Sequence, residues 1–214
     1  MTAPIGSASR THVPDLRERR RQETRLEITR AALELFERQG AAATTVDEIA
    51  RLAGVSPSTF FRCFATKEES VCETDREFEA ELLAWLESTA PEDIDLAGIE
   101  ALYERSLCRL TASSREVKDL LLRRRRLIAS DDHLRAAAFA ADAVAMCRLT
   151  QSVAQKVGGV RPTSYARLLV EAAGLATRNA FDAWVQTIED GDEADLVEIY
   201  RTTREEVRRI FIGR

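Results

Sequence analysis

Between residues 56 and 67 this chain gathers Ser56, Pro57, Ser58, Thr59, Arg62, Cys63 and Lys67, a set suited to touching a polyanion. Phe60 and Phe64 lie four apart, so on a helix they share one face, and Ser56, Ser58, Thr59, Arg62 and Cys63 occupy the other. Small hydroxyl side chains let a helix come close to base edges, where they reach thymine or phosphate. The planar fork of Arg62 can take guanine bidentately or grip a phosphate. Thr44 and Thr45 place a hydroxyl and free N–H groups at a helix start, which suits a phosphate, and Lys67 does the same one helix later.

The elements that must hold these residues are written around them. Thr45 and Glu48 form a capping box, and Thr66 and Glu69 repeat it. Gly54 can take the left-handed conformation that ends a helix, and Ser56-Pro57 supplies an N-cap with proline at the first helical position. Two short helices joined by a turn of three or four residues containing glycine predict a helix-turn-helix, whose second helix can enter a DNA major groove. Phe60 and Phe64 are expected to pack on Ile49, Leu52 and a preceding helix. An ordinary packing hairpin in a helical bundle is the alternative for this segment.

The composition agrees with a helical globule. Hydrophobic residues make up 45% and charged residues 31% of 214, with only five prolines and nine glycines to interrupt helices. No apolar run approaches the ~20 residues that span a bilayer, and the first residues have no apolar signal core, so the cytosol is the expected location and no membrane partner is expected. The net charge of −5 is unevenly spread. Residues 1–67 hold 11 Lys and Arg against 8 Asp and Glu, while the remainder holds 20 against 28, a basic head on an acidic body. The four cysteines show no Cys-x-x-Cys spacing and the two histidines are far apart, so neither a metal nor a cofactor is expected. Cys63 on the second short helix could act as a thiol switch or be an inert small side chain. No nucleophile elbow, zinc-protease motif or phosphate-cradling loop is present, and an enzyme is not expected.

Helical periodicity predicts about nine helices. The first begins near Asp15, capped with Glu18, and shows Leu26, Thr29, Leu33 and Phe36 on one face. After the two short helices come spans over 67–88 and 96–110, a segment from Ser113, a helix capped by Asp131-Asp132 running to Gly158, one over 163–189, and a last one to the terminus. Three parts follow: a flexible arm over 1–14, a helix-turn-helix domain over 15–66, and a larger helical domain over 67–214. Arg17, Arg19, Arg20, Arg21 and Arg25 could follow a nucleic-acid backbone or be a solvated face balanced by Glu18, Glu23 and Glu27.

Across ITRAALELFERQG and ATTVDEIARLAGVSPSTFFRCFATKEE, about forty-five residues, the chain resembles the amino-terminal domain of the TetR family of transcriptional regulators. The resemblance implies an all-α homodimer in which three amino-terminal helices bind a palindromic operator and a larger helical domain binds an effector, whose arrival releases the DNA. It assigns phosphate contact to Thr44 and Lys67, and base or groove contact to Ser56, Pro57, Ser58, Thr59 and Arg62. Phe61 stands where the family commonly has tyrosine, and Cys63 where it has histidine or tyrosine. Both usual groups donate to phosphates, so backbone anchoring there is expected to be weaker by about 1 kcal/mol for one such bond, offset by Arg62 and the arginine-rich segment. A helical protein-binding adaptor that has lost DNA binding is the rival reading, and Phe61 and Cys63 are its best argument.

From Asp119 to Val185 the chain also looks similar to a class of actinobacterial regulators, some of which respond to long-chain acyl-CoA. An effector pocket is expected to draw on Phe78, Leu82, Trp85, Tyr103, Leu107, Leu121, Phe139, Met146, Phe181 and Trp184. Four consecutive helical arginines, Arg123 to Arg126, sweep about 300°, so at least one points inward or to a domain boundary. An inward arginine needs an anion, which makes Arg124 and Arg125 candidates to hold the acidic head of a mainly apolar effector. Ala172, Ala173, Gly174, Ala176, Ala180 and Ala183 would let the helix over 163–189 approach a second copy closely, with the last helix completing a four-helix dimer interface; an ordinary buried helix is the alternative.

Overall fold

The computed structural model describes residues 16–72, 76–162 and 164–212. Among the described residues ten α-helices follow in order: α1 (Leu16–Gln39), α2 (Val46–Leu52), α3 (Pro57–Cys63), α4 (Glu69–Cys72), α5 (Arg76–Ser88), α6 (Leu96–Ala112), α7 (Arg115–Ser130), α8 (Asp132–Val157), α9 (Tyr165–Glu189) and α10 (Leu196–Ile212). A 3₁₀ turn, Pro91–Asp93, precedes α6. Among the described residues all repeated structure is helical; Gly158 and Arg161 form one isolated bridge. The expected arm over 1–14 and the Asp15 cap lie outside the described residues. The helix expected over 67–88 is described as α4 and α5, with residues 73–75 between them outside the description.

Most ends form where the sequence placed them, for the chemical reasons given. Ser114 Oγ accepts from the Val117 N–H, and Asp131 Oδ1 from the N–H groups of His133 and Leu134 at 2.9 and 3.0 Å. Thr66 Oγ1 accepts from the Glu69 N–H at 3.1 Å, but the Glu69 carboxylate reaches the Ala65 N–H at 2.7 Å rather than that of Thr66. The second capping box is therefore opened by one residue.

Three apolar clusters make the core. The head cluster joins Ile28, Ala32, Leu33 and Phe36 of α1 to Ile49, Phe60 and Phe64, and it also takes in Val71 and Cys72 of α4 and Leu134 of α8. Leu52, expected beneath the phenylalanines, is instead 47% exposed. A second cluster packs α5, α6, α8 and α9 around Phe78, Leu82, Met146 and Leu149. A third packs α6, α9 and α10 around Leu107, Phe181, Trp184 and Tyr200, with Tyr103 touching both body clusters.

The small residues of α9 are used inside the subunit. Ala173, Gly174, Ala176 and Ala180 are buried there, and a Cβ on Gly174 would meet Met146 Sδ at 3.1 Å. They cannot form the expected dimer contact. The outward face of α9 offers Leu168, Leu175 and Ala183 instead.

Gly98 in α6 permits a closer approach still. A Cβ there would sit 2.2 Å from Cζ2 of the Trp85 indole. Glycine to alanine ordinarily strengthens a helix by up to ~1 kcal/mol, but this methyl must displace a large ring. Gly98→Ala is expected to destabilise by about 2 kcal/mol. In denaturant titrations the loss should shrink when Trp85→Leu is added; equal losses with and without Trp85 would show that the ring is not the cause.

Candidate nucleic-acid interface

The second and third helices are locked at both ends. Thr45 caps α2: its hydroxyl accepts from the Glu48 N–H at 3.3 Å, and the Glu48 carboxylate accepts from the Thr45 N–H at 2.8 Å. These bonds hold the Glu48 carboxyl below its usual range. Gly54 has φ +68°, a left-handed value that glycine adopts without strain. Around it the Val55 N–H reaches the Ala50 carbonyl at 2.9 Å and the Gly54 N–H reaches that of Arg51 at 3.2 Å, the paired bonds of a Schellman ending. Ser56 Oγ then accepts from the Thr59 N–H at 3.1 Å to start α3.

On α3 the split of faces is clear. Phe60 and Phe64 are buried, with ring centroids 5.9 Å apart, whereas Ser56, Pro57, Ser58, Phe61 and Arg62 face solvent and Thr59 is half-buried. The Ser56 and Thr59 hydroxyls lie 3.0 Å apart, so part of their hydrogen-bonding capacity is used within the cap. Ser58 and Arg62 remain outward, beside the Phe61 ring, which is 57% exposed.

Three expected contact residues are placed otherwise. Cys63, expected on the outer face, is buried at 8% exposure, because it sits three residues after Phe60 and shares its side. Thr44 is buried at 1%, and its hydroxyl donates to the Gly40 carbonyl at 2.9 Å, closing the loop after α1. Lys67 turns inward, its Nζ donating to the carbonyls of Ala41 and Thr44 at 2.6 and 2.7 Å. Its charge holds the α1–α2 loop against the α4 start, so the Thr44 and Lys67 side chains position the head.

Arg25, expected only as part of a basic segment, is a structural residue. Its guanidinium lies 4.0 Å from the Phe64 ring centroid and donates to the Cys63 carbonyl at the end of α3. A cation at a helix C-terminus is favoured by the exposed carbonyls there. The spacing 25, 28, 32, 36, which continues the buried stripe of α1, was the available signal.

The head is tied to the body through α7 and α8. Arg123 forks onto Glu37 of α1 with bonds of 2.9 and 2.6 Å, Arg30 reaches Glu116 at 2.7 Å, and His133 Nε2 lies 3.2 Å from Glu68. Arg126 lies 3.6 Å from Glu189 of α9. Arg125 turns inward, its guanidinium 3.9 Å from the Phe181 centroid. Burial, reinforced by the neighbouring Arg124 charge, pulls Arg125 down to about 10, which leaves it cationic at neutral pH. Its Nε is buried without a hydrogen-bond partner among the described residues.

The expected effector-lining side chains divide between the two body clusters. Phe78 stacks on Tyr103 with centroids 4.0 Å apart, in the same cluster as Leu82, Trp85 and Met146. Leu107, Phe181, Trp184 and half-buried Leu121 belong to the other. Phe139 is an exception: it is 66% exposed on α8, away from both, because α8 buries Leu134, Ala145 and Met146 instead. Among the described residues no helix is long and apolar enough to cross a membrane, and no three metal-ligating side chains cluster.

Comparison with known proteins places this head. The family of bacterial regulatory proteins called tetR matches residues 28–69. The HTH-type transcriptional regulator TcmR of Streptomyces glaucescens is 54% identical over 56 residues, which cover 26% of this chain and 25% of that one. The chain thus spans about a quarter of the length of that curated relative. Among solved structures, NalD of Pseudomonas aeruginosa, the secondary repressor of the MexAB-OprM multidrug efflux pump, aligns at TM-score 0.52 and 19% identity over 88% of this chain and 96% of its own. That likeness bears on the fold alone. A Thermus thermophilus FadR in complex with lauroyl-CoA aligns at TM-score 0.47 and 23% identity, covering 86% and 92%. The capped trihelical head thus lies in the region that matches the tetR family of bacterial regulatory proteins, with a helical body behind it among the described residues.

Proposed function

We propose that this chain is a DNA-binding transcriptional regulator, a homodimer whose two heads, bounded by residues 15 and 66, bind the half-sites of a palindromic operator. The observation that carries this reading is the outward edge Ser56, Pro57, Ser58, Phe61 and Arg62 on a helix fixed at both ends. A rigid edge loses little entropy on docking, and Arg62 supplies the fork that reads guanine. Phe61 cannot donate to phosphate, but its exposed ring can lie against a thymine methyl. Selection of bound DNA from random oligonucleotides, followed by mobility shifts across salt, tests the proposal. A palindrome retarded with a steep salt slope is expected; no retardation at low salt would favour the protein-binding adaptor. Phe61→Tyr restores the phosphate donor and is expected to tighten operator binding about fivefold, equivalent to about 1 kcal/mol.

The body, residues 67–214, is the effector and dimer domain in this reading, and the regulator is a repressor released by a mainly apolar effector with an acidic head, of the fatty acyl-CoA kind. Arg125 supports it: a cation stacked on an aromatic floor, with a buried N–H unpaired, gains from an arriving anion. The same helix, α7, holds Glu37 of the head through Arg123, so a ligand drawn to Arg124 and Arg125 would act on a helix already bonded to the head. An apolar tail would part the Phe78–Tyr103 stack. Thermal shifts with acyl-CoA against free CoA test this; unchanged affinity in both Arg124→Ala and Arg125→Ala would remove the anchoring role. Light scattering that returns one chain, 23.9 kDa, would remove the dimer.

A further inference from the structure

Only two histidines occur in the chain, and His133 is the one within the described residues. It sits in the first turn of α8, at the corner where the body meets the head. The next residue, Leu134, is fully buried in the head cluster, and its carbonyl accepts from Cys72 Sγ of α4 at 3.6 Å. Across from it, the Glu68 carbonyl accepts from the Val71 and Cys72 N–H groups at 3.0 and 2.8 Å. Backbone anchored on both sides thus sets the 3.2 Å between His133 Nε2 and Glu68 Oε1. The Glu68 side chain is only 15% exposed, and the same oxygen lies 4.0 Å from Lys67 Nζ. Lys67 in turn donates to the Ala41 and Thr44 carbonyls. A polar chain therefore runs through His133, Glu68 and Lys67, from the start of α8 to the loop that precedes α2.

The charges around the imidazole are mixed. On its own helix, Asp131 Oδ1 accepts from the His133 N–H at 2.9 Å, and Asp132 is paired with Arg135. The N-terminal end of α8 disfavours a cation, and these two carboxylates oppose that effect. From α7, Arg124 and Arg125 act on Cys72, one turn beyond Glu68. Other charges on the adjoining helices pair elsewhere: Arg123 with Glu37, Arg30 with Glu116 and Arg148 with Glu79.

We infer that His133 and Glu68 form a proton-operated tie between body and head. An imidazole takes up its second proton near pH 6.5. The imidazolium adds a full charge to the bond with Glu68, and with it an ion pair across the seam. Acid strengthens the hold on Glu68 and, through Lys67, on the loop ahead of α2; neutral pH relaxes it. A firmer loop has less freedom to lose when α3 docks, so operator binding tightens on acidification. That last step rests on the DNA-binding reading, whereas the tie itself does not.

The test compares four full-length proteins at fixed salt from about pH 5.5 to about pH 7.5, on either side of the imidazole range: wild type, His133→Gln, Glu68→Gln and His12→Gln. Glutamine keeps an N–H donor at position 133 without titrating, and the last variant removes the other histidine. On acidification wild type is expected to gain about fivefold in operator affinity over His133→Gln, counting both heads. Glu68→Gln should lose the same increment, and His12→Gln should keep it. Denaturant midpoints read the tie without DNA: the gap between wild type and His133→Gln should open at acid pH and close as pH rises. If both affinity and midpoint follow pH alike in wild type and His133→Gln, the tie is overturned while the regulator stands. If His12→Gln loses the increment instead, the proton acts at the other histidine and the tie is overturned likewise. A midpoint gap with no matching change in affinity overturns the step to the operator. A wild type that retards no DNA sinks the regulator reading, and the midpoints still decide the tie.

Discussion

Phe60→Ala is expected to lower stability by about 4 kcal/mol and to abolish operator binding. Phe60 is fully buried, meets Phe61 edge-on at 5.5 Å and Phe64 at 5.9 Å, and joins α3 to Ile49 and Phe36 in the head cluster. A cavity of that size consumes much of the 5–15 kcal/mol by which a domain typically outlasts its unfolded chain. The helices of the head are short, so they depend on this packing rather than on their own propensity. The adjoining Phe61→Ala should cost well under 1 kcal/mol in the same denaturant titration, because its ring is already largely in water. The two neighbouring phenylalanines thus separate the faces of α3: one variant should lose binding by unfolding, and the other should stay folded. Similar stability losses in both would mean that α3 is rotated from the orientation described.

The contrast also marks how much the sequence disclosed. Local chemistry was legible: the Thr45–Glu48 box, the Gly54 ending and the Ser56-Pro57 start all form, because each is decided by a few adjacent residues. Side-chain placement one step beyond a helix was not. Cys63 is expected opposite the face of Phe60 and Phe64, but its three-residue offset from Phe60 brings it inside. Lys67 is expected to face a phosphate, but the carbonyls of Ala41 and Thr44 lie within its reach. Long-range events left no local trace at all. Nothing in the run around Asp131 and Asp132 announces that Leu134 completes the head core, or that Arg123 crosses to Glu37. The arginine run predicts only that at least one member points inward or to a domain boundary; Arg125 turns inward and Arg123 sits at the boundary. The alanines of α9 illustrate the same limit, since small residues permit close approach without saying to which helix.

Arg208→Ala should be a second large effect, and one that depends on pH. Glu100 on α6 is almost wholly buried, its side chain 2% exposed, and its carboxylate is bonded by Arg208 of α10. The backbone carbonyl of Glu100 accepts from the Tyr200 hydroxyl at 3.1 Å, which pins the same two helices together. Burial raises the Glu100 carboxyl above its ordinary value, and the Arg208 hydrogen bond opposes that rise without cancelling it. A carboxyl raised on folding binds more protons in the native state, so its contribution is present at low pH and declines as pH climbs through the raised value. Removing Arg208 leaves a buried charge unpaired and pushes the carboxyl higher still. The expected cost is about 3 kcal/mol near neutral pH. It should shrink as pH falls from neutral through the raised value, as protonation neutralises the stranded group. One turn along α6, Glu104 has the opposite sign: bonds from Arg201 and Arg204, at 2.8 and 2.9 Å, hold it below the usual carboxylate range. Its contribution is present above the ordinary value and lost as pH falls through the lowered one. Arg201→Ala should therefore cost little at any pH, since that pair is largely in water, and any loss should be greatest on the neutral side. Denaturant midpoints measured across the pH range separate the two cases. A deficit in Arg208→Ala that stays constant from neutral to acid would show that Glu100 is not the group left stranded, and that α10 is held to α6 by packing alone.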